Sequence, residues 1–302
     1  MCEFSARGGV LAIAAMQSMV VACVGPRIMM LQFREGPKAE DGGSGSNTAQ
    51  LVEVGFLMVG FMISSISTLN HYAMVADAYD GVFFIVWKHI KKAFVILGKA
   101  PAAAVDASAG ALACSLLLEQ PTLHLVVADE HARLRVFAFN KSATESKGGS
   151  ILLPRATFHA GCPISKLLPL HMPRAFAGAT GVRGGALRCA LLFGAVDGTV
   201  GFVSPLDEGL FRRASFLGTR MPTGAPQPAG LHPKAFRAHH ARPVAARELK
   251  GVVDGALLRQ YALLDASAQE KLALQIGATR SALLDDLRAL DDIGRRVLSL
   301  LT

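Results

Sequence analysis

"FGAVDGTVGFVSP", Phe193 to Pro205, consists of two apolar runs joined by Asp-Gly. Asp-Gly between such runs is a strong short-range signal for a tight β-hairpin turn. Whether this hairpin stands alone or belongs to a repeat decides the fold, because self-similarity at a fixed period is the signature of a repeat architecture.

Three further stretches share the pattern: Val20–Phe33, Tyr72–Trp87 and Leu123–Phe139. In all four, a small residue ends an apolar run and the next run begins six residues later; the copies lie 54, 52 and 66 residues apart. Another β-like run precedes each of the first three copies: Gly8–Ala15, Phe61–Thr68 and Ala111–Glu119. Before the fourth copy the order is less clear, because an insert around Gly161–Leu187 intervenes. A period near 50 residues, with about four strands per unit, is typical of β-propeller blades.

The chain has 302 residues, of which 51% are hydrophobic and 18% charged, and this composition excludes general disorder. Two uncharged stretches, Gly8–Pro26 and Val54–Ala76, are long enough to be read as a signal peptide and a membrane-spanning helix. Polar residues interrupt both stretches, which favours buried strands of the blades. We therefore expect no membrane attachment. The five cysteines are scattered, as is typical of buried thiols in a reducing compartment.

The pattern becomes helical after Met221. A Pro/Gly-rich boundary, Pro222–Gly230, is followed by three- and four-residue apolar spacing. We predict that Asp254 or Gly255 starts a helix, that Ser267–Glu270 forms a capping box, and that Gly277 and Thr279 end one helix and cap the next. The predicted apolar docking face of these helices comprises Leu257, Leu258, Tyr261, Leu284 and Leu287. The expected domains are β-propeller blades over residues 1–221 and a small C-terminal helical domain over residues 222–302.

Three runs carry a family resemblance: "GLHPKAFRAHH" (Gly230–His240), "VVDGALLRQYALL" (Val252–Leu264) and "QIGATRSALLDDL" (Gln275–Leu287). In that order they resemble the carboxy-terminal region of the large subunit of cleavage and polyadenylation specificity factor. Upstream, "LVVADEHARLRVFAFN" and the opening hairpin resemble blades of the same subunit. Two sister families share the architecture: the large subunit of damaged-DNA-binding protein and the triple-propeller subunit of splicing factor 3b.

The resemblance implies a mainly β chain with about four blades of a seven-bladed ring, followed by a helical domain. It also implies a non-enzymatic scaffold in the nucleus. The implied partners are the WD-repeat and zinc-finger subunits that read the poly(A) signal, and pre-mRNA, contacted directly or through them. The alternative is a cullin-ligase adaptor, a DNA-damage-binding subunit or a splicing-factor subunit of the same superfamily.

No residue pattern indicates a catalytic site, a cofactor site or a metal site; His239-His240, for example, has no further ligand at metal-binding spacing nearby. The net charge of +8 suits an acidic partner. Basic clusters neutralise phosphates, so the candidate nucleic-acid contacts are the basic residues Lys88, Lys91, Lys92, Arg212, Arg213, Lys234 and Arg237. The alternative for these residues is ordinary solvated loop charge.

Overall fold

The computed structural model describes residues 4–35, 49–100, 110–119, 122–171, 189–224 and 251–300. The described part is mainly β, with four antiparallel sheets of three or four strands followed by helices. Strand neighbours within each sheet follow chain order. This meander is consistent with a partial propeller.

The strands of the first two sheets are β1 (Val10–Met16), β2 (Met19–Val24), β3 (Arg27–Glu35) and β4 (Ala49–Met58), then β5 (Ile63–Leu69), β6 (Tyr72–Asp77), β7 (Gly81–Lys88) and β8 (Ala93–Lys99). Those of the third and fourth are β9 (Ala111–Glu119), β10 (Thr122–Asp129), β11 (Arg133–Ala138) and β12 (Leu153–His159), then β13 (Ile164–His171), β14 (Cys189–Ala195) and β15 (Val200–Val203). The predicted repeat is confirmed at strand level, because the four quoted stretches are the hairpins β2–β3, β6–β7, β10–β11 and β14–β15.

The α-helices of the described part are α1 (Glu208–Gly224), α2 (Gly255–Arg259), α3 (Ala266–Ile276) and α4 (Arg280–Ser299). A 3-10 helix, Gln260–Leu263, continues α2, and another spans Thr144–Ser146. The chain divides into two compact units: residues 1–116 with 123–130 and 137–154, and residues 117–122 with 131–136 and 155–302.

Apolar side chains fill the space between successive sheets in the first unit. One cluster joins the first two sheets through residues such as Met30, Ile63 and Trp87. A second cluster joins β6 and β7 to the next sheet through residues such as Phe84, Leu125 and Phe137. Because the second sheet is covered on both faces, its inner strands are apolar at nearly every position rather than at alternate ones. The uncharged Val54–Ala76 stretch forms strands as predicted, but only its β6 part is an inner strand; β5 lies at the edge of its sheet and is largely half-buried.

Three of the four helix-end predictions made from the sequence are confirmed. The Asp254 carboxylate accepts from the amides of Ala256 and Leu257, the Thr279 hydroxyl accepts from Ala282, and Gly277 ends α3 in the left-handed conformation. The predicted capping box at Ser267–Glu270 is wrong. Helix α3 begins at Ala266, two residues earlier than a Ser267 cap requires, and its N-cap residue, Asp265, makes no side-chain capping bond.

Candidate interaction surfaces

The β7–β8 turn carries the first group of predicted nucleic-acid contacts. Lys88, Lys91 and Lys92 are all exposed, and Ile90 at the tip of the turn is 99% exposed. Among the described residues, no carboxylate pairs with any of these three ammonium groups. Their positive charge is therefore open to an anion from solvent.

This turn is held in place from beneath. The rings of Trp87 and Phe94 lie 4.7 Å apart, and both side chains are buried. Lys92 has a left-handed backbone, φ +47°, and its carbonyl packs against Gly55 of β4. A Cβ atom at Gly55 would lie only 2.3 Å from that carbonyl oxygen, so this position requires glycine. The lysines thus extend from a turn that is anchored on the neighbouring sheet.

Two predicted contacts, Arg212 and Arg213, lie in the second turn of α1. The Arg213 guanidinium donates two hydrogen bonds to the Asp286 carboxylate of α4, at 2.6 and 2.8 Å. These bonds raise the pKa of Arg213 above its ordinary value. Arg212 instead pairs with Glu208 one turn earlier on the same helix, where both side chains are about three-quarters exposed. Arg213 therefore connects two helices, whereas Arg212 faces solvent.

The remaining predicted contacts, Lys234 and Arg237, lie outside the described residues, as does the His239-His240 pair. Within the described ranges, no three histidine, cysteine or acidic side chains are grouped so as to hold a metal ion. Within the same ranges, no helix is both long enough and apolar enough to cross a bilayer.

The predicted apolar docking face lies in the core of the helices. Leu257, Leu258, Tyr261 and Leu287 are buried, and Leu284 is partly buried against them. The face is covered by α1 of the same chain, through Ala214, Leu217 and Met221. In the structure, this face packs the helices against one another.

A polar network crosses this helical core. The Tyr261 hydroxyl donates to the carbonyl of Gln269 at 2.8 Å, and the Gln269 side-chain amide donates back to the Tyr261 carbonyl at 3.0 Å. Arg280 donates to the Gln269 side-chain oxygen at 2.6 Å. Burial raises the pKa of the Tyr261 hydroxyl. These bonds pair the Tyr261 hydroxyl and the Gln269 side-chain amide, as a low-dielectric interior requires.

Sequence reasoning missed an exposed aromatic pair on two loops of the first unit. Phe61 is 68% exposed and Tyr79 65% exposed, and their rings meet edge to face at 5.2 Å. Both loops are bound to the buried Asp77 carboxylate. It accepts from the amides of Phe61 and Met62 on one oxygen and of Tyr79 and Asp80 on the other, at 2.7–2.8 Å. The sequence feature that could have indicated these bonds is an aspartate at the end of an apolar strand, where carboxylates typically accept hydrogen bonds from loop amides.

Comparison with known proteins identifies the family of the chain. A family model described as "CPSF A subunit region" matches residues 3–263. The chain belongs to this family. The match runs through all four sheets, α1, α2 and the 3-10 helix after it, and it confirms the resemblance noted in the sequence.

Curated relatives carry matching names. The chain is 32% identical to "Cleavage and polyadenylation specificity factor subunit 1" of Arabidopsis thaliana and 29% identical to a probable subunit 1 of Oryza sativa, with 93% of the chain and 18% of each relative aligned. It is 26% identical to "Protein cft1" of Neurospora crassa over 75% of the chain and 16% of that protein. The chain thus spans less than a fifth of the length of these relatives. Their names favour the polyadenylation factor over the two sister families.

Proposed function

We propose that the chain is part of a non-enzymatic scaffold subunit of the nuclear pre-mRNA cleavage and polyadenylation machinery. The observation that carries the proposal is the family match over residues 3–263, together with relatives named as subunits of that factor. The sheets of the first unit support the proposal, because apolar clusters pack them against one another, and sheets packed in this way can present several loops at once.

In this proposal the four sheets are about four blades of a seven-bladed ring, and residues 222–302 form a helical domain that follows them in the sequence. The structure adds that α1 runs across Met221, the proposed boundary, and contributes to the same core as α2, α3 and α4. The WD-repeat and zinc-finger subunits of the complex are the proposed protein partners.

The scaffold role is tested by co-purification. The tagged 302-residue chain, added to nuclear extract and recovered by its tag, should bring down the zinc-finger and WD-repeat subunits of the polyadenylation factor. A matched control is the Phe61→Ser, Tyr79→Ser double variant, which removes exposed rings without opening the core. Recovery of a cullin in place of the polyadenylation subunits would overturn the proposal and favour the ligase-adaptor alternative.

We further propose that the basic residues contact the phosphates of pre-mRNA. The β7–β8 lysines support this best, because their charges are exposed and lack a described carboxylate partner; Arg212, Arg213, Lys234 and Arg237 are the other proposed contacts. Reversing Lys88, Lys91 and Lys92 to glutamate should weaken binding of RNA of any sequence. The slope of log affinity against log salt should flatten by roughly 0.7 per lost contact.

The control for this test changes the net charge equally at other exposed lysines, Lys141, Lys147 and Lys166. If the two triple variants lose affinity and salt slope to the same extent, net charge alone explains binding. The β7–β8 turn would then be an ordinary solvated loop.

A further inference from the structure

The fourth sheet ends in an edge strand at the place where the other three sheets have a further strand. Each of the first three sheets has four strands, whereas the fourth has only three, in the order β13, β14, β15. After β15 the chain continues into α1 instead of forming a fourth strand. Within the described ranges, the outer edge of β15 therefore has no neighbouring strand.

The hydrogen-bond pattern shows which backbone groups of β15 face outward. The Ala195 amide donates to the Thr199 carbonyl at 2.9 Å, one step before the β14–β15 ladder begins. In an antiparallel pair, facing residues alternate between hydrogen-bonded and non-bonded pairs. It follows that the N–H and C=O groups of Val200 and Phe202 point away from β14. No backbone group in the described part of the chain bonds to these two donors and two acceptors.

The outer strands of the other three sheets each have a feature that hinders pairing with another chain. β4 carries the charged Glu53, β8 is covered at its end because the Lys99 amide donates to the Ser150 carbonyl, and β12 contains Pro154. Charges, covering segments and proline are the means by which natural sheets protect exposed edges. The sequence of β15, Val-Gly-Phe-Val, contains neither a charge nor a proline, and no described segment covers its edge.

β15 is held in place by packing on its two faces. The Phe202 ring lies against α4, where a Cβ atom at Gly294 would be 3.4 Å from it. On the other face, the Phe193 ring of β14 lies over Gly201, so closely that a Cβ atom there would be 2.3 Å from the ring. A partner that pairs with this edge therefore meets a strand that is already ordered, which lowers the entropy cost of binding.

The chemistry of the edge selects an extended peptide segment, because a row of alternating N–H and C=O groups is satisfied by another strand. Charge selects its flanks. Asp197 lies three residues before β15 and Asp207 four residues after it, and neither is paired with a cation among the described residues. The backbone amide of Thr199 lowers the pKa of Asp197, so this carboxylate is ionised at neutral pH. A second copy of the chain is disfavoured, since antiparallel pairing of two β15 strands would bring Asp197 of each copy toward Asp207 of the other.

We propose that the outer edge of β15 binds, by strand addition, an extended segment of a partner protein whose strand-forming residues are flanked by lysine or arginine. The inference goes beyond the proposed function and does not depend on which complex contains the chain. Failure to recover polyadenylation subunits would leave this site standing, and failure of the peptide test below would leave the family match and the scaffold role untouched.

The test measures binding of the fluorescein-labelled peptide Lys-Lys-Val-Thr-Val-Thr-Val-Thr-Lys-Lys to the full 302-residue chain by fluorescence anisotropy. Val200→Pro should weaken binding about tenfold, because proline removes an outward N–H group and its ring crowds the edge. The variant should still fold, since proline is tolerated on an edge strand where the N–H faces solvent. Equal melting temperatures of variant and wild type check this. The matched control, Val200→Thr, keeps the backbone donor and the branched side chain, so its affinity should be that of the wild type.

Two further peptides separate backbone pairing from charge. Replacing the four lysines by glutamates should weaken binding, because the carboxylates near the ends of β15 then repel the peptide. Replacing the Val-Thr repeats by Gly-Ser repeats keeps the charge but removes the strand-forming residues, and binding should be lost. Equal affinity of the Gly-Ser peptide would overturn the proposal, since it would show attraction by charge alone. Unchanged affinity of Val200→Pro would also overturn it.

Residue-resolved hydrogen exchange of the wild-type chain gives a second measurement that needs no variant. In the free chain the amides of Val200 and Phe202 should exchange fast and those of Gly201 and Val203 slowly; the peptide should slow exchange at Val200 and Phe202. Slow exchange at these two amides in a free monomer would overturn the proposal by showing that another part of the same chain covers the edge. A dimer of the free chain that Val200→Pro dissociates would also overturn it and assign the edge to a second copy.

Discussion

Asp77 is the residue whose replacement should reveal most about how the loops of this protein are held. Its side chain is fully buried at the end of β6 and accepts four backbone amides from two loops. Asp77→Asn keeps the shape of the side chain but replaces one acceptor oxygen by an amino group. Two backbone N–H groups then face a donor rather than an acceptor.

The expected loss follows from this geometry. Hydrogen bonds to a charged group contribute about 1.5–3 kcal/mol each, and unpaired buried donors cost about 1–3 kcal/mol. The contributions are not additive, and water reaches part of these loops. We therefore expect Asp77→Asn to lower the free energy of unfolding by about 3 kcal/mol, and Asp77→Ala by about 4 kcal/mol. For a protein of this size that corresponds to a melting temperature lower by about 10 °C.

Urea unfolding is the appropriate assay, followed by the fluorescence of Trp87, the only tryptophan of the chain, which lies in the same sheet as Asp77. Asp80→Asn is the matched control. Asp80 pairs with Lys99 where both side chains are nearly half exposed, so its loss should cost at most about 1 kcal/mol. An Asp77→Asn variant no less stable than Asp80→Asn would refute the reasoning, since it would show that the four amides do not depend on the carboxylate.

Three other outcomes are expected. Tyr261→Phe should cost about 1 kcal/mol of stability. Because burial raises the pKa of Tyr261, the wild type should lose stability as the pH rises past about 10, and the Phe variant should lack this loss. Urea unfolding at several pH values measures both effects. Asp286→Asn should cost about 1 kcal/mol by releasing Arg213, and a loss that high salt did not reduce would contradict the ion pair. Burial raises the pKa of Cys23 to about 12, so in the native protein a thiol reagent should leave it unmodified from neutral to mildly alkaline pH. Cys162 is less buried than Cys23, so the reagent should modify it; because burial and Asp197 raise the pKa of Cys162, the rate should increase with pH. Equal rates at the two thiols would contradict the burial of Cys23.

The strands were predictable because local chemistry and packing agree. Each quoted hairpin joins apolar runs across a short polar or small-residue turn, and for β6–β7 the neighbouring sheets cover both faces of the runs. The fourth turn differs in detail. The loop between β14 and β15 has four residues, Val196 to Thr199, rather than the two of a tight turn. Gly198 has φ +87°, and the Asp197 carboxylate accepts from Thr199, so Asp-Gly still forms the turn by its own chemistry.

Helix α1 was missed although its signal is present in the sequence. Leu210, Ala214, Leu217 and Met221 have the three- and four-residue spacing of a buried helix face. The domain assignment from the sequence instead places residues 1–221 in propeller blades. The chain instead changes to helix at Glu208, where the apolar residues no longer follow strand periodicity.

The roles of surface residues could not be predicted in the same way, and Arg212 with Arg213 shows why. They are identical residues, adjacent in the sequence, and both were assigned to nucleic-acid contact. On a helix, however, neighbouring residues point about 100° apart. That rotation sends Arg213 to a carboxylate 73 positions away in the sequence and leaves Arg212 on the solvent face with Phe216. A surface site depends on which charges are bound by distant segments once the helices have packed. That information lies in contacts between distant segments, so it appears only when the chain has folded.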